Sequence, residues 1–224
     1  MHYWTTITSY GGSAVMMPAA AAFAAWLALG GAWRMSLWWC GLFGAGLAVV
    51  IASKIAFIGW GIGIPALDFT GFSGHAMRAM AVIPVLFFLV LQNSSMATRR
   101  IGVLGGILLG VLIVFSRVIV HAHSPAEAVL GGMLGTAVSL GFIALSCTRE
   151  KPLLNRALIA ATIIGLIGMS YVEPVPSQSV LVKVALALSG HDQPYTRANW
   201  KLRHAPELGA TGKEQNLARI QVKS

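Results

Sequence analysis

Long runs of apolar residues constrain this chain more than any other feature of its sequence. Several runs approach the roughly 20 residues that a helix needs to cross the hydrocarbon core of a bilayer. Hydrophobic residues make up 56% of the sequence and charged residues only 10%, which leaves too little polar surface for a soluble domain of this length. The runs predict transmembrane helices at Ser13–Trp33, Ser36–Ser53, Met77–Leu91, Ile101–Val120, Ala126–Cys147 and Ala157–Val172.

These runs predict an all-α fold, a polytopic membrane helical bundle with about six transmembrane helices. Residues 1–172 are expected to form this bundle as one compact body. The sequence VEPVPSQS that follows Tyr171 is typical of an extended connector, and the later residues are polar, basic and poor in large apolar side chains. Residues 173–224 are therefore predicted to form a polar, basic and partly disordered C-terminal tail.

Two pairs of glycines stand four residues apart within the predicted spans. They are Gly106 with Gly110 and Gly131 with Gly135. Small residues one helical turn apart let membrane helices approach closely. The pairs thus predict packing between helices and carry no chemistry of their own.

The chain has a formal net charge of +9, which raises the question of a nucleic-acid partner. The basic residues stand mostly at span ends and in the tail, with no basic patch interleaved with aromatic residues, so membrane anchoring is the better explanation and no nucleic-acid partner is predicted. The positive-inside rule assigns basic connections to the cytoplasm. These connections follow the first, third and fifth spans and carry Arg34, Arg99, Arg100, Arg149, Lys151 and Arg156. The opposite connections are then expected to face outward.

The two outward connections hold most of the polar residues near membrane depth. Ionisable groups in such positions are costly and indicate a functional site. Because both connections reach the same membrane face, the bundle is expected to bring them together. The candidates are Lys54, Asp68, Ser73, His75, Arg78, Arg117, His121, His123 and Glu127.

The tetrapeptide FSGH ends at His75 and precedes the third span. Ser73 is predicted to cap a helix, and Gly74 leaves the backbone N–H groups beside it accessible. Such a helix N-terminus binds anions, and His75 adds a proton donor. The alternative is an ordinary cap followed by an interfacial histidine.

The pentapeptide HSPAE, which starts at His123, precedes the fifth span. Ser124, Pro125 and Glu127 form the pattern of a capping box with proline at the first helical position. His123 and Glu127 also stand four residues apart, so the carboxylate can fix the imidazole tautomer and activate the other ring nitrogen as a nucleophile. The structural and functional interpretations are compatible.

The segments KIAFIGW, FSGH and SRVIVHAHSPAE resemble the three-part signature of the type 2 phosphatidic acid phosphatase superfamily, whose members are membrane lipid-phosphate phosphatases. That signature is a lysine followed seven residues later by Arg-Pro, then Pro-Ser-Gly-His, then Ser-Arg, five residues, His, three residues and Asp. The resemblance covers residues 54–127. It implies hydrolysis through a phosphohistidine, without a metal ion or another cofactor.

The resemblance also implies a role for each matching residue. His123 would be the nucleophile, Glu127 its orienting carboxylate and His75 the general acid. The substrate phosphate would be held by Lys54, Ser73, Gly74 and Arg117.

The chain departs from the signature in all three motifs. Gly61 and Ile62 replace the Arg-Pro pair, Phe72 replaces the proline before Ser73, and Glu127 replaces the aspartate. The missing arginine matters most, because one cation fewer weakens stabilisation of transition-state charge. Arg78, one helical turn beyond His75, is a spatial substitute and a further phosphate-binding candidate; the alternative is an interfacial anchor.

The sequence thus predicts an integral membrane enzyme that removes phosphate from a lipid phosphomonoester or pyrophosphate. We expect it in the bacterial inner membrane with its active site facing outward, where the lipid bilayer and a membrane lipid substrate are its partners. The alternatives are a lipid phosphotransferase that uses the same intermediate and a non-catalytic transporter or scaffold that binds lipid phosphates. The sequence gives no indication of oligomeric state.

Overall fold

A computed structural model describes residues 2–147 and 177–203, with residues 159, 160, 162 and 164 in addition. The helices of the described part are α1 (His2–Tyr10), α2 (Ser13–Leu29), α3 (Trp33–Trp60), α4 (Gly74–Val90), α5 (Met96–Ile119), α6 (Pro125–Cys147), α7 (Ser177–Ser189) and α8 (Arg197–Arg203). The predicted sixth span, Ala157–Val172, lies almost wholly outside the described residues. The predicted boundary between bundle and tail at residue 172 lies outside them too.

The helices confirm the predicted all-α membrane fold. Within the described residues the only pairing of β type is an isolated bridge between Ile64 and Phe69. Helix α4 is apolar but has 17 residues, about 25 Å at the rise of an α-helix, so the number of six spans stays a prediction. The stretches that are long and apolar enough to cross a membrane are Tyr3–Leu29, Trp33–Trp60, Met96–Ile119 and Pro125–Ser146.

Helix α3 corrects one predicted boundary. The second span was expected to end at Ser53, with Lys54 in the connection that follows, but the helix continues to Trp60. The residues KIAFI contain no helix breaker, and the helix ends where Gly61 adopts a φ of 70°, a left-handed conformation that favours glycine. Lys54 is therefore a helical residue, nearly two turns before the end of α3.

The described residues divide into two compact units. The first comprises Met1–Val50 and Phe72–Val175, and the second Ile51–Gly71 and Pro176–Ser224.

An aromatic cluster around Trp39 forms the centre of the first unit. The Trp39 ring is fully buried, and its centroid lies 5.5 Å from that of Phe23, 5.2 Å from that of Phe43 and 5.4 Å from that of Phe142. Its indole N–H donates to the carbonyl oxygen of Ala20 at 2.8 Å, so the polar atom of the ring is satisfied inside the core. The cluster joins α2, α3 and α6.

The glycine pairs allow α5 and α6 to approach α4 closely, as their spacing predicts. A Cβ atom added to Gly110 of α5 would lie 2.5 Å from Sδ of Met80. One added to Gly131 of α6 would lie 2.6 Å from the carbonyl oxygen of Ser73. Both distances are shorter than van der Waals contact, and at Gly131 the neighbouring atom belongs to the backbone, so a larger residue there would push the helices apart. This packing brings the start of α6 against the start of α4.

In the second unit, residues 177–203 of the predicted tail form α7 and α8 and pack on the connection that follows α3. Trp200 is buried, its ring centroid lies 5.7 Å from that of Phe57, and its indole N–H donates to the carbonyl oxygen of Gly61 at 2.9 Å. The backbone N–H of Tyr195 donates to the carbonyl oxygen of Ile58 at 2.9 Å. This part of the tail is thus ordered by contacts with a connection far away in the sequence.

Polar contacts reinforce the second unit. Asp68, in a left-handed conformation with a φ of 48°, accepts a hydrogen bond from Nζ of Lys201 at 3.0 Å and lies 3.6 Å from Nη1 of Arg197. Nδ1 of His191 lies 2.7 Å from the carbonyl oxygen of Gly59. Asp68, one of the candidates from the sequence, and His191 thus make contacts that stabilise this unit.

Candidate active site

Ser73 is the residue around which the start of α4 is organised. It is fully buried, and its Oγ accepts a hydrogen bond from the N–H of Ala76 at 3.5 Å, so the predicted cap is present. Its own N–H donates to the carbonyl oxygen of Glu127 at 3.1 Å. The first N–H groups of a helix lack intrahelical acceptors, and here they belong to Gly74 and His75. The N-terminus of α4 is therefore a candidate anion-binding site.

His123 and Glu127 form a close pair at the start of α6. Nδ1 of His123 lies 2.7 Å from Oε2 of Glu127, and the two side chains are 16% and 1% exposed, respectively. An ionised carboxylate only accepts hydrogen bonds, so the contact favours a proton on Nδ1, which in a neutral imidazole puts the lone pair on Nε2. The predicted role of Nε2 as a nucleophile requires this arrangement of the ring.

A capping box holds this pair in place. The N–H of Ser124 donates to Oε2 of Glu127 at 3.2 Å, and the N–H of Glu127 donates to Oγ of Ser124 at 3.3 Å. The predicted capping box is thus present, and His123 contacts Glu127 as predicted, whereas the role of His123 as a nucleophile stays a prediction. Two donors on one buried oxygen compensate for the removal of the carboxylate from water.

The turn between α5 and α6 ties Arg117 to His123. The carbonyl oxygen of Arg117 accepts hydrogen bonds from the N–H groups of Ala122 at 3.1 Å and His123 at 3.3 Å. The chain reverses at His121, which is exposed and adopts a φ of 54°. The number of residues between Arg117 and His123 is therefore set by the backbone hydrogen bonds of this turn.

The guanidinium group of Arg117 is oriented by a residue that the sequence motifs do not include. Its Nη1 donates to Oγ1 of Thr8 in α1 at 2.9 Å. Its Nε is buried and has no hydrogen-bond partner within residues 2–147 and 177–203. The group is thus fixed at one nitrogen while another donor stays available.

The side chain of Arg78 turns back over the first turn of α4. A Cβ atom added to Gly74 would lie 3.1 Å from Nη1 of Arg78, which places the guanidinium group beside the anion-binding backbone. Nε of Arg78 is buried, again without a hydrogen-bond partner in the described part of the chain. The charges of Arg78 and Arg117 repel each other. Two neighbouring cations with buried, unused donors favour a bound anion, which would satisfy both.

His75 faces the turn between α1 and α2. A Cβ atom added to Gly12 would lie 3.8 Å from Nε2 of His75. The residue is only partly buried. This position is compatible with proton donation to a leaving group.

Contacts within the first unit thus connect most of the predicted site residues, whereas Lys54 belongs to the second unit and stays a predicted phosphate ligand. Among the described residues, no group of three or more His, Cys, Asp or Glu side chains is arranged to hold a metal ion. The residues that the contacts connect are Ser73, Gly74, Arg78, Arg117, His123 and Glu127.

This chain is similar to a known protein family over the residues of the second and third motifs. The model of the PAP2 superfamily matches residues 60–151, a range that includes the second and third motifs but starts after Lys54. A protein of Klebsiella pneumoniae, described as an uncharacterized 22.5 kDa protein in the cps region, is 36% identical over 201 residues, which cover 88% of this chain and 96% of the relative. No solved structure matches this chain.

Proposed function

Because this chain belongs to the PAP2 superfamily, whose members are generally phosphatases, we propose that it is an integral membrane enzyme that hydrolyses a lipid phosphate through a phosphohistidine at His123. The observation that carries the proposal is the 2.7 Å contact between Nδ1 of His123 and Oε2 of Glu127. This contact favours the tautomer with the proton on Nδ1, in which the lone pair of Nε2 can attack phosphorus. A capping box needs only the serine and the glutamate, so it does not explain the histidine beside the carboxylate.

In the first step, Nε2 of His123 attacks the phosphorus atom and the bond between phosphorus and the lipid oxygen breaks. The lipid leaves as an alcohol, or as a monophosphate when the substrate is a pyrophosphate, after its oxygen has taken a proton from His75. Glu127 stabilises the positive charge that develops on the His123 ring. The product of this step is a phosphohistidine together with a neutral His75.

In the second step, water attacks the phosphohistidine and the bond between nitrogen and phosphorus breaks. His75, now neutral, accepts a proton from the attacking water, and inorganic phosphate leaves. Both histidines return to their starting protonation states, so one water molecule is consumed for each phosphate released.

The transferring phosphoryl group spreads its negative charge over three oxygens. We propose that Arg117, Arg78 and the backbone N–H groups at Gly74 bind these oxygens, with Lys54 as a further ligand. Donors placed before the reaction cost little reorganisation during it. This set needs no metal ion, so activity is expected to persist in the presence of EDTA.

The direct test is phosphate release by the purified protein in detergent with EDTA present. The panel contains phosphatidate, phosphatidylglycerol phosphate, a prenyl pyrophosphate, lipid A and a water-soluble phosphomonoester. We expect release from at least one lipid and little from the soluble ester. Retention of bound lipid phosphate without release would instead favour the non-catalytic carrier, and transfer of label to an added lipid alcohol would favour the phosphotransferase.

We further propose that the site faces outward in a bacterial inner membrane. Ala66 and Ser94 are both small and exposed, and they belong to connections that the positive-inside rule assigns to opposite sides. In a background without Cys40 and Cys147, Ala66→Cys should react with an impermeant thiol reagent in intact cells. Ser94→Cys should react only after lysis, and the reverse labelling pattern would place the site in the cytoplasm.

A further inference from the structure

Helix α1 contacts the part of the first unit that carries the candidate site. The ring of Trp4 meets that of Phe115 edge to face, with centroids 6.3 Å apart. One helical turn later, Oγ1 of Thr8 accepts the hydrogen bond from Nη1 of Arg117 at 2.9 Å. Residues 4 and 8 share a helix face, so the same face of α1 packs on α5 and reaches its last turn.

The turn after α1 holds this helix close to both α4 and α5. The N–H of Gly11 donates to the carbonyl oxygen of Thr8 at 3.1 Å, and that of Gly12 donates to the carbonyl oxygen of Ser9 at 2.9 Å. A Cβ atom added to Gly11 would lie 2.7 Å from Cγ2 of Ile113 and 3.5 Å from Cβ of His75. The fit leaves no room for a side chain at Gly11, so the position of Thr8 is set by packing against the helices of the site.

The chemistry of the acceptor matters because Arg117 is expected to bind an anion. An arginine side chain loses about 2 kcal/mol of rotamer entropy when it is fixed in one orientation. A carboxylate acceptor would fix it but would also neutralise the charge that the phosphate needs. The hydroxyl of Thr8 is neutral, so it orients the guanidinium group and leaves its full positive charge for the substrate.

We propose that Thr8 is a positioning residue of the active site, which holds the Arg117 guanidinium group in the orientation that binds the substrate phosphate. This inference rests on the proposed function, in which Arg117 clamps the phosphate. Thr8 does not contact the reacting atoms and acts through Arg117. Its contribution should therefore vanish when the guanidinium group itself is absent.

The test compares Thr8→Val, which keeps the shape and removes the acceptor, with Thr8→Ser, which restores a hydroxyl. Thr6→Val is the matched control, since Thr6 is an exposed threonine of the same helix. We expect Thr8→Val to lower kcat/KM about tenfold, the effect of losing one hydrogen bond to a charged group. Thr8→Ser should recover most of the activity, and Thr6→Val should match wild type. Monodisperse elution in detergent reports whether each variant is folded.

A second background separates positioning from a general structural effect. In Arg117→Lys, which keeps a cation but lacks the guanidinium group, adding Thr8→Val should change kcat/KM less than twofold, because the two substitutions remove the same interaction. If Thr8→Val costs tenfold in both backgrounds, or nothing in the wild-type background, the proposal is wrong.

Binding of orthovanadate, a phosphate analogue, distinguishes failure of this inference from failure of the proposed function. Its affinity is measured by titration calorimetry in detergent, without any turnover. About tenfold weaker binding to Thr8→Val in a protein that hydrolyses no lipid phosphate would uphold the role of Thr8 and reject the phosphatase. Hydrolysis by wild type with equal vanadate affinity and equal kcat/KM in Thr8→Val would reject the role of Thr8 alone. Absence of both hydrolysis and vanadate binding in wild type would overturn both.

Discussion

Substitution of His123 by alanine should abolish lipid-phosphate hydrolysis and leave the protein folded in detergent. The side chain supplies the atom that attacks phosphorus, and removal of a nucleophile typically costs roughly ten-thousandfold or more in kcat. Only 16% of the side chain is exposed and its partner Glu127 is buried, so the variant leaves a buried carboxylate with one partner fewer. Monodispersity after purification therefore accompanies the assay.

The matched control for this variant is His121→Asn. His121 lies two residues away, is exposed, and adopts a left-handed φ of 54° that asparagine tolerates. It should retain wild-type kinetics. The pair separates loss of one particular imidazole from disturbance of the turn between α5 and α6.

Chemical trapping gives a second measurement on the same residue. Brief incubation of wild type with a labelled substrate, followed by a denaturing quench, should yield a phosphoenzyme that is labile in acid and stable in base, as expected for a bond between phosphorus and nitrogen. His123→Ala should yield none. Full hydrolytic activity in His123→Ala, or a label that stays on the variant, would remove His123 from the role of nucleophile.

Arg78→Ala should lower kcat/KM by roughly a hundredfold or more, on the scale of a lost oxyanion donor. The reason is the missing arginine of the first motif, where Gly61 stands. Without it, the negative charge of the transferring phosphoryl group needs another cation. The guanidinium group of Arg78 lies beside Gly74 and within the field of Arg117, the position that such a substitute requires.

Two further variants define what Arg78 contributes. Arg78→Lys should recover only part of the activity, because lysine lacks the planar fork that binds two phosphate oxygens at once. Arg100→Ala removes an exposed arginine from the start of α5 and should leave kinetics unchanged. Wild-type kinetics in Arg78→Ala would make this residue an interfacial anchor and leave Lys54 and Arg117 as the phosphate ligands.

The parts of the fold and the site that follow local rules could be predicted from the sequence. Apolar runs locate α2 to α6 to within a few residues, except at the end of α3, because a helix in hydrocarbon must satisfy its own backbone. The contact of His123 with Glu127 follows from their spacing of four residues across the start of α6, which begins at Pro125. The cap at Ser73 follows from the preference of short polar side chains for that position.

The parts that depend on contacts between residues far apart in the sequence could not be predicted. Thr8 and Arg117 are 109 residues apart, and the sequence TTITSY around Thr8 carries no chemical motif. The apolar run predicts the end of the second span at Ser53, before Lys54, whereas α3 continues to Trp60. The order of residues 177–203 depends on partners such as Gly61, which no pattern within the tail reveals.

The contacts of the C-terminal segment also fix an order of events during biosynthesis. The carbonyl oxygens of Gly59 and Gly61 meet partners 132 and 139 residues later in the chain, at His191 and Trp200. At a synthesis rate of about 5–20 residues per second, these partners leave the ribosome on the order of ten seconds after α3 has been made. Until then we expect water to hydrate the end of α3 and the residues after it, because their carbonyl oxygens lack these partners. The nascent chain thus contains Lys54 before the second unit has formed. A chain that ends before Tyr195 lacks the contacts that complete this unit.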